Sequence, residues 1–167
     1  YVISYFKKNN ISTKLFDLYG QNPTSCIQEG NSLVFGDSIK TIDNQSLEEA
    51  KCFFINANQI SNHNSILNII KFLKEKYKST PIAILENSQA VTAYSLSKVK
   101  NEFLELGCEY ILIGDLEIVT LEVFNNLNNL EYLKNVNGLI TKNFHNDKIN
   151  FVEELDNLSF PSWEDFP

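Results

Sequence analysis

The sequence predicts an α/β protein: a doubly wound parallel sheet in three layers, helices on both faces, with a β-hairpin towards the C-terminus. Three observations carry that prediction. The short runs "KCFFINA" (51–57), "PIAIL" (81–85) and "EYILI" (109–113) are almost continuously apolar, as strands covered on both faces are. Each run is followed by apolar residues at helical spacing. The alternation repeats three times in a row, which implies parallel strands joined by right-handed crossovers.

Taken in order, "YVISYFKKNN" (1–10) reads as a helix and "STKLFDLY" (12–19) as a strand. Residues 21–45 are polar and punctuated by Gly and Pro, a long irregular loop. After the strand at 51–57, Ile66, Ile69, Ile70 and Leu73 form one helical stripe while Lys71, Lys74 and Lys76 fall mostly elsewhere. Ser61 or Asn62 is placed to cap that helix. Pro81 opens the next strand, and "VTAYSLSKVKNEFLELG" (91–107) sets Leu96, Val99, Phe103 and Leu106 on one face before Gly107 stops it. "LEIVTLEVFNNL" (116–127) is the helix after the third run. "NGLITKN" and "KINFV" flank "FHND" as a hairpin with a longer turn, and the acidic, aromatic 153–167 reads as an extended connector.

A helix and strand at the start normally follow an earlier strand. In the Rossmann-like, flavodoxin-like order 2-1-3-4-5 that earlier strand is central. Without it, the segments 14–18 and 52–55 would face each other across a gap of unpaired backbone groups. A first strand upstream of Tyr1 is therefore expected, unless those two segments pair directly. The chain holds no methionine, so it is expected to be part of a longer polypeptide.

Composition narrows the function classes. With 167 residues, 43% hydrophobic and 21% charged, one soluble globular domain is the default. No apolar run suits a membrane span and no signal segment opens the chain. A net charge of −7 argues against nucleic acid as a partner. Cys26, Cys52 and Cys108 are odd in number and far apart, fitting neither a disulfide framework nor a metal motif. Cys52 and Cys108 stand at strand entries as small buried hydrophobes, and a reducing cytoplasm is the expected compartment.

In a parallel sheet the turns after the strands open on one edge, the carboxyl edge, where ligands bind. The residues expected there are Asn56, Asn58, Gln59 and Ser61, then Glu86, Asn87 and Ser88, then Gly114, Asp115 and Glu117. Asn, Ser and Asp before a helix are equally read as caps, and both readings stand. Asp115 and Glu117 have no nucleophile or metal beside them in sequence, so complementing a helix dipole is favoured over acid–base catalysis. His63 and His145 lack partners at metal spacing, and a surface position is expected for His63. Asn56 and the "GDLE" turn stand where a receiver domain needs its aspartate and lysine, which disfavours phosphoryl transfer. Trp163 and Phe166 are expected to pack on this domain or on a partner.

Five ordered segments carry a further expectation: "STKLFDLY" with Asp17, "NIIKFLKEKYKSTP", "CEYILIGDLEIVTLEVFNNL" with Gly114, Asp115, Glu117 and Thr120, "NVNGLITKN", and "FVEELDNLSFPSWEDFP". In that order and spacing they resemble the N-terminal cobalamin-binding domain of cobalamin-dependent radical S-adenosylmethionine (SAM) enzymes. The resemblance implies a cobalamin-binding domain over 1–135, a hairpin extension over 136–152 and a connector over 153–167 to a downstream radical SAM domain. It implies that the ten carboxyl-edge residues named above contact cobalamin, and that none of them is catalytic. The [4Fe-4S] cluster, S-adenosylmethionine and methyltransferase-like chemistry would belong to that downstream domain, because C-x-x-x-C-x-x-C is absent here. Two departures from the pattern are visible. Glu86, Asn87 and Ser88 replace a Gly-Gly pair, and no D-x-H-x-x-G supplies an axial histidine. The alternative is a degenerate Rossmann-like domain without cofactor, used for docking or substrate recognition.

Overall fold

A computed structural model describes residues 1–29, 32–44, 47–57, 59–86 and 95–167. Two units stand out: residues 3–49 with 159–167, and residues 50–158.

The first unit contains helices α1 (Val2–Lys8) and α2 (Leu18–Gln21) and strands β1 (Cys26–Glu29) and β2 (Ser32–Phe35), with a 3-10 turn at Ile39–Asn44. Helix α1 buries Ser4 and Phe6 and ends on Lys7 and Lys8, whose charges suit a helix C-terminus. The segment 159–167 is more than an extended connector. Ser162 is buried and its amide donates to Ser4 Oγ at 3.1 Å, and Lys7 Nζ meets Asp165 Oδ2 at 2.6 Å.

The strand expected over 12–19 does not form. Asp17 instead caps the four-residue α2, its Oδ1 accepting from the Gly20 amide at 2.9 Å. Local capping overrides the strand propensity of the apolar residues around it. The long loop expected over 21–45 holds a regular antiparallel pair, β1–β2, with Cys26 opposite Phe35 and Ile27 opposite Val34. Its pattern has period two: Ile27 and Val34 are half-buried, while Cys26, Gln28, Leu33 and Phe35 are exposed.

The second unit is an α/β layer structure. Strands β3 (Phe53–Ala57), β4 (Ile82–Glu86), β5 (Tyr110–Leu112) and β6 (Leu139–Ile140) form one sheet in the order β3-β4-β5-β6. The first three are parallel and β6 is antiparallel to β5. Helices α3 (His63–Lys76) and α4 (Leu96–Glu105) cover one face, where Ile66, Ile70, Leu73, Leu96 and Phe103 pack with Ile55, Ile82, Ile84 and Ile111. Helices α5 (Leu116–Asn125) and α6 (Leu130–Leu133) cover the other, where Val119, Val123 and Leu133 pack with Ala83, Leu85, Tyr110 and Leu112. Burial on both faces explains why these strands carry no polar alternation, and each such Ile, Leu or Phe contributes about 1.5–3 kcal/mol of transfer free energy.

Helix α4 stops where the glycine predicts. Gly107 has φ +96°, and the Gly107 and Cys108 amides donate to the Leu104 and Phe103 carbonyls at 3.2 and 3.1 Å, the pattern of a Schellman motif. At the same end of the sheet, Glu109 accepts from Lys74 Nζ at 2.5 Å and from the Ile82 amide at 2.8 Å. Cys52 packs with the cluster on the α5 face and Cys108 with the cluster on the α3–α4 face.

The expected C-terminal hairpin is present only in reduced form. Its first arm is β6, which joins the sheet, and its return makes a single bridge, Ile140 to His145. Beyond His145 the chain runs back without regular structure and is tied by side chains. Asn146 Nδ2 donates to the Lys134 and Val136 carbonyls at 2.8 and 2.7 Å. Among the described residues, no helix is long and apolar enough to cross a membrane.

Candidate functional site

The parallel register places Ala57 beside Glu86 and Leu85 beside Leu112, so β3, β4 and β5 all end at one edge. Every sequence-predicted site residue that is described lies at or near it. Asn58, Asn87 and Ser88 fall outside the described residues.

At the β3 exit, Asn56 belongs to the strand itself and is exposed. It shares a sheet face with Phe54, two residues earlier, which packs on the α5 side. Gln59 and Ser61 are exposed, with Ser61 Oγ donating to Gln59 Oε1 at 3.3 Å. Asn62 occupies the N-cap position of α3 but makes no side-chain cap bond; a 3-10 turn, Ile60–Asn62, leads into the helix instead. These side chains form an open polar margin.

The β4 exit is arranged differently. Glu86 does not point out as a free carboxylate, because its Oε2 accepts from the Leu96 amide at 2.6 Å and so caps α4. Ser95, the formal N-cap residue, makes no cap bond and pairs its hydroxyl with Ser97 at 2.8 Å.

The β5 exit is covered by the chain itself. Gly114 has φ +97°, and the position its Cβ would take is filled by Ile149 Cγ2. Asp115 stands at the N-cap of α5 without capping it; its Oδ2 accepts from the Val152 amide at 2.7 Å. Asn137 Nδ2 donates to Asn150 Oδ1 at 2.7 Å alongside. Residues 149–152 thus lie as a strap over the turn, and the space left beneath, bounded by Asp115, Asn137, Asn150 and Phe151, is about 10 Å³. Glu117 is half-buried in the first turn of α5, where a carboxylate complements the helix dipole.

The two histidines do other work. His63 is not a surface residue. Its side chain is 18% exposed, with Nε2 3.1 Å from Glu102 Oε2 and its ring against Phe103. It therefore joins α3 to α4. His145 Nδ1 lies 3.1 Å from Lys100 Nζ, and its Nε2 lies 2.9 Å from Asp147 Oδ1. Among the described residues, no group of three or more His, Cys, Asp or Glu is arranged for a metal ion. Sequence reasoning missed the strap and its ties at Asn137, Asn146 and Asn150. The run of asparagines over 135–150 was the available signal, since short amides bond backbone where regular pairing ends.

The β3 exit is open to solvent, and the β5 turn is covered. The amides and hydroxyl of Asn56, Gln59 and Ser61 offer donors and acceptors to a large amide-bearing ligand. The β5 turn, as folded, does not fit it. Binding clefts run to hundreds of Å³, whereas the space beneath the strap holds about one water molecule. No family model matches the chain, and neither a curated protein nor a solved structure matches it. What the structure itself shows is that residues 50–158 form an α/β unit with a mostly parallel four-stranded sheet between helices.

Proposed function

We propose that the 50–158 unit is a Rossmann-like, flavodoxin-like module that holds a cobalamin at its carboxyl edge. It would present the corrinoid to a radical SAM domain of the same polypeptide, in the cytoplasm, for methyl transfer or related chemistry. The observation that carries this reading is the convergence of three parallel strand exits on one edge, with Asn56, Gln59 and Ser61 exposed there. The ordered sequence segments that resemble such domains supply the ligand class.

The test is equilibrium dialysis of the chain against hydroxocobalamin, read by corrinoid absorbance. Retention by the wild type, reduced about tenfold in an Asn56→Ala, Gln59→Ala double variant, is the expected result, since each lost polar contact is worth about 0.5–1.5 kcal/mol. Retention that ignores those two residues would place the ligand elsewhere.

A second reading is favoured by the β4 and β5 exits. Glu86 caps α4, and Gly114 and Asp115 are engaged by the strap, as in a domain that has lost its cofactor and serves docking or substrate recognition. Under that reading hydroxocobalamin is not retained at all.

A further inference from the structure

We propose that the strap 149–152 is a displaceable cover that competes with the ligand for the β5 turn; this rests on the cobalamin reading above. The strap occupies the space a ligand needs. Ile149 fills the place beside Gly114 that only a residue without a side chain leaves open. Val152 uses the Asp115 carboxylate that would otherwise face the crevice. Asn150 uses the Asn137 amide.

The strap is also lightly held. Ile149 is 41% exposed and Phe151 72% exposed, and Val152 is half-buried. It has no regular secondary structure, and its ties include the Ile149 side chain against Gly114 and the hydrogen bonds of Asn150 and Val152. Segments with few buried contacts open locally at low free energy. Opening this one uncovers Gly114, Asp115 and Asn137 together, while β5 keeps its pairing with β4 and β6. A ligand that binds only the open form is weakened by the fraction of time the strap is open.

The experiment uses the whole chain and two measurements. First, hydroxocobalamin affinity is compared between wild type and two strap variants, Ile149→Ala and Val152→Pro. An open state about 10% populated in the wild type gives variants that bind up to roughly tenfold more tightly. Second, amide hydrogen exchange at 150–152 is followed in the wild type with and without hydroxocobalamin, and ligand is expected to speed exchange there while slowing it around residues 56–61. Tighter binding by the variants, or binding by the variants alone, supports the cover. Equal affinities with unchanged exchange in the strap overturn it and leave the cobalamin reading standing. No retention by any form overturns both.

Discussion

The Glu86 carboxylate at the end of β4 accepts the Leu96 amide at 2.6 Å and does for α4 what its own N-cap residue does not. The bond spans the chain between β4 and α4, so one side chain fixes where the strand hands over to the helix. Glu86→Ala is expected to cost about 1–2 kcal/mol, the range for losing a charge-assisted cap. Glu86→Gln keeps an acceptor and is expected to lose about half of that. Urea midpoints of the three proteins test this, and an Ala variant as stable as wild type would show that the bond holds nothing.

Two glycines with positive φ separate rigid from yielding surroundings. At Gly138, φ +74°, a Cβ would meet the carbonyl oxygen of Ile113, a backbone atom one residue past β5. At Gly114 it would meet a side chain of the strap. Gly138→Ala is expected to cost about 2–3 kcal/mol and Gly114→Ala about 1–2 kcal/mol. Adding Ile149→Ala to Gly114→Ala is expected to recover part of the second loss, a coupling that a double-mutant cycle measures. Additive effects would mean that Ile149 does not press on the turn.

Thiol chemistry distinguishes the three cysteines. Burial pushes the Cys108 thiol up to about 12, opposed in part by its contact with the Tyr110 backbone, and burial pushes Cys52 upward as well. Cys26 is exposed. At pH 8 a thiol reagent is expected to modify one cysteine rapidly in the folded protein and all three in denaturant. Rapid labelling of Cys108 in the native state would contradict its burial.

The same shift sets a pH dependence. The folded value lies above the unfolded one, so the neutral thiol is favoured by folding. Its contribution is complete below the unfolded value, near 8.5, and is lost as pH rises towards about 12. Denaturation midpoints are expected to fall between pH 8 and 11, with a shallower fall in Cys108→Ala. An identical slope in that variant would assign the fall to other groups.

Much of the second unit was legible in the sequence. The apolar runs at 51–57, 81–85 and 109–113 became β3, β4 and β5, because a strand buried on both faces needs apolar residues at every position. Gly107 ended its helix where its φ above zero was needed. The first unit was less legible. The apolar residues of 12–19 suggested a strand, but a strand needs a neighbour to pair with, and the Asp17 cap decided otherwise. The hairpin β1–β2 went unread because a polar segment with Gly and Pro hides a pattern of period two only a few residues long.

The site divides in the same way. Sequence order alone determined that polar side chains follow each buried strand, and parallel pairing then brings them to one edge. Whether those side chains face solvent was decided only by the tertiary structure. Glu86 turns to Leu96, and Asp115 turns to an amide 37 residues further along. Apolar periodicity is a local property set by the pitch of strand and helix, so it can be read along the chain. A carboxylate's hydrogen-bond partner depends on which distant backbone group the packed fold leaves unpaired beside it, and no local pattern encodes that choice.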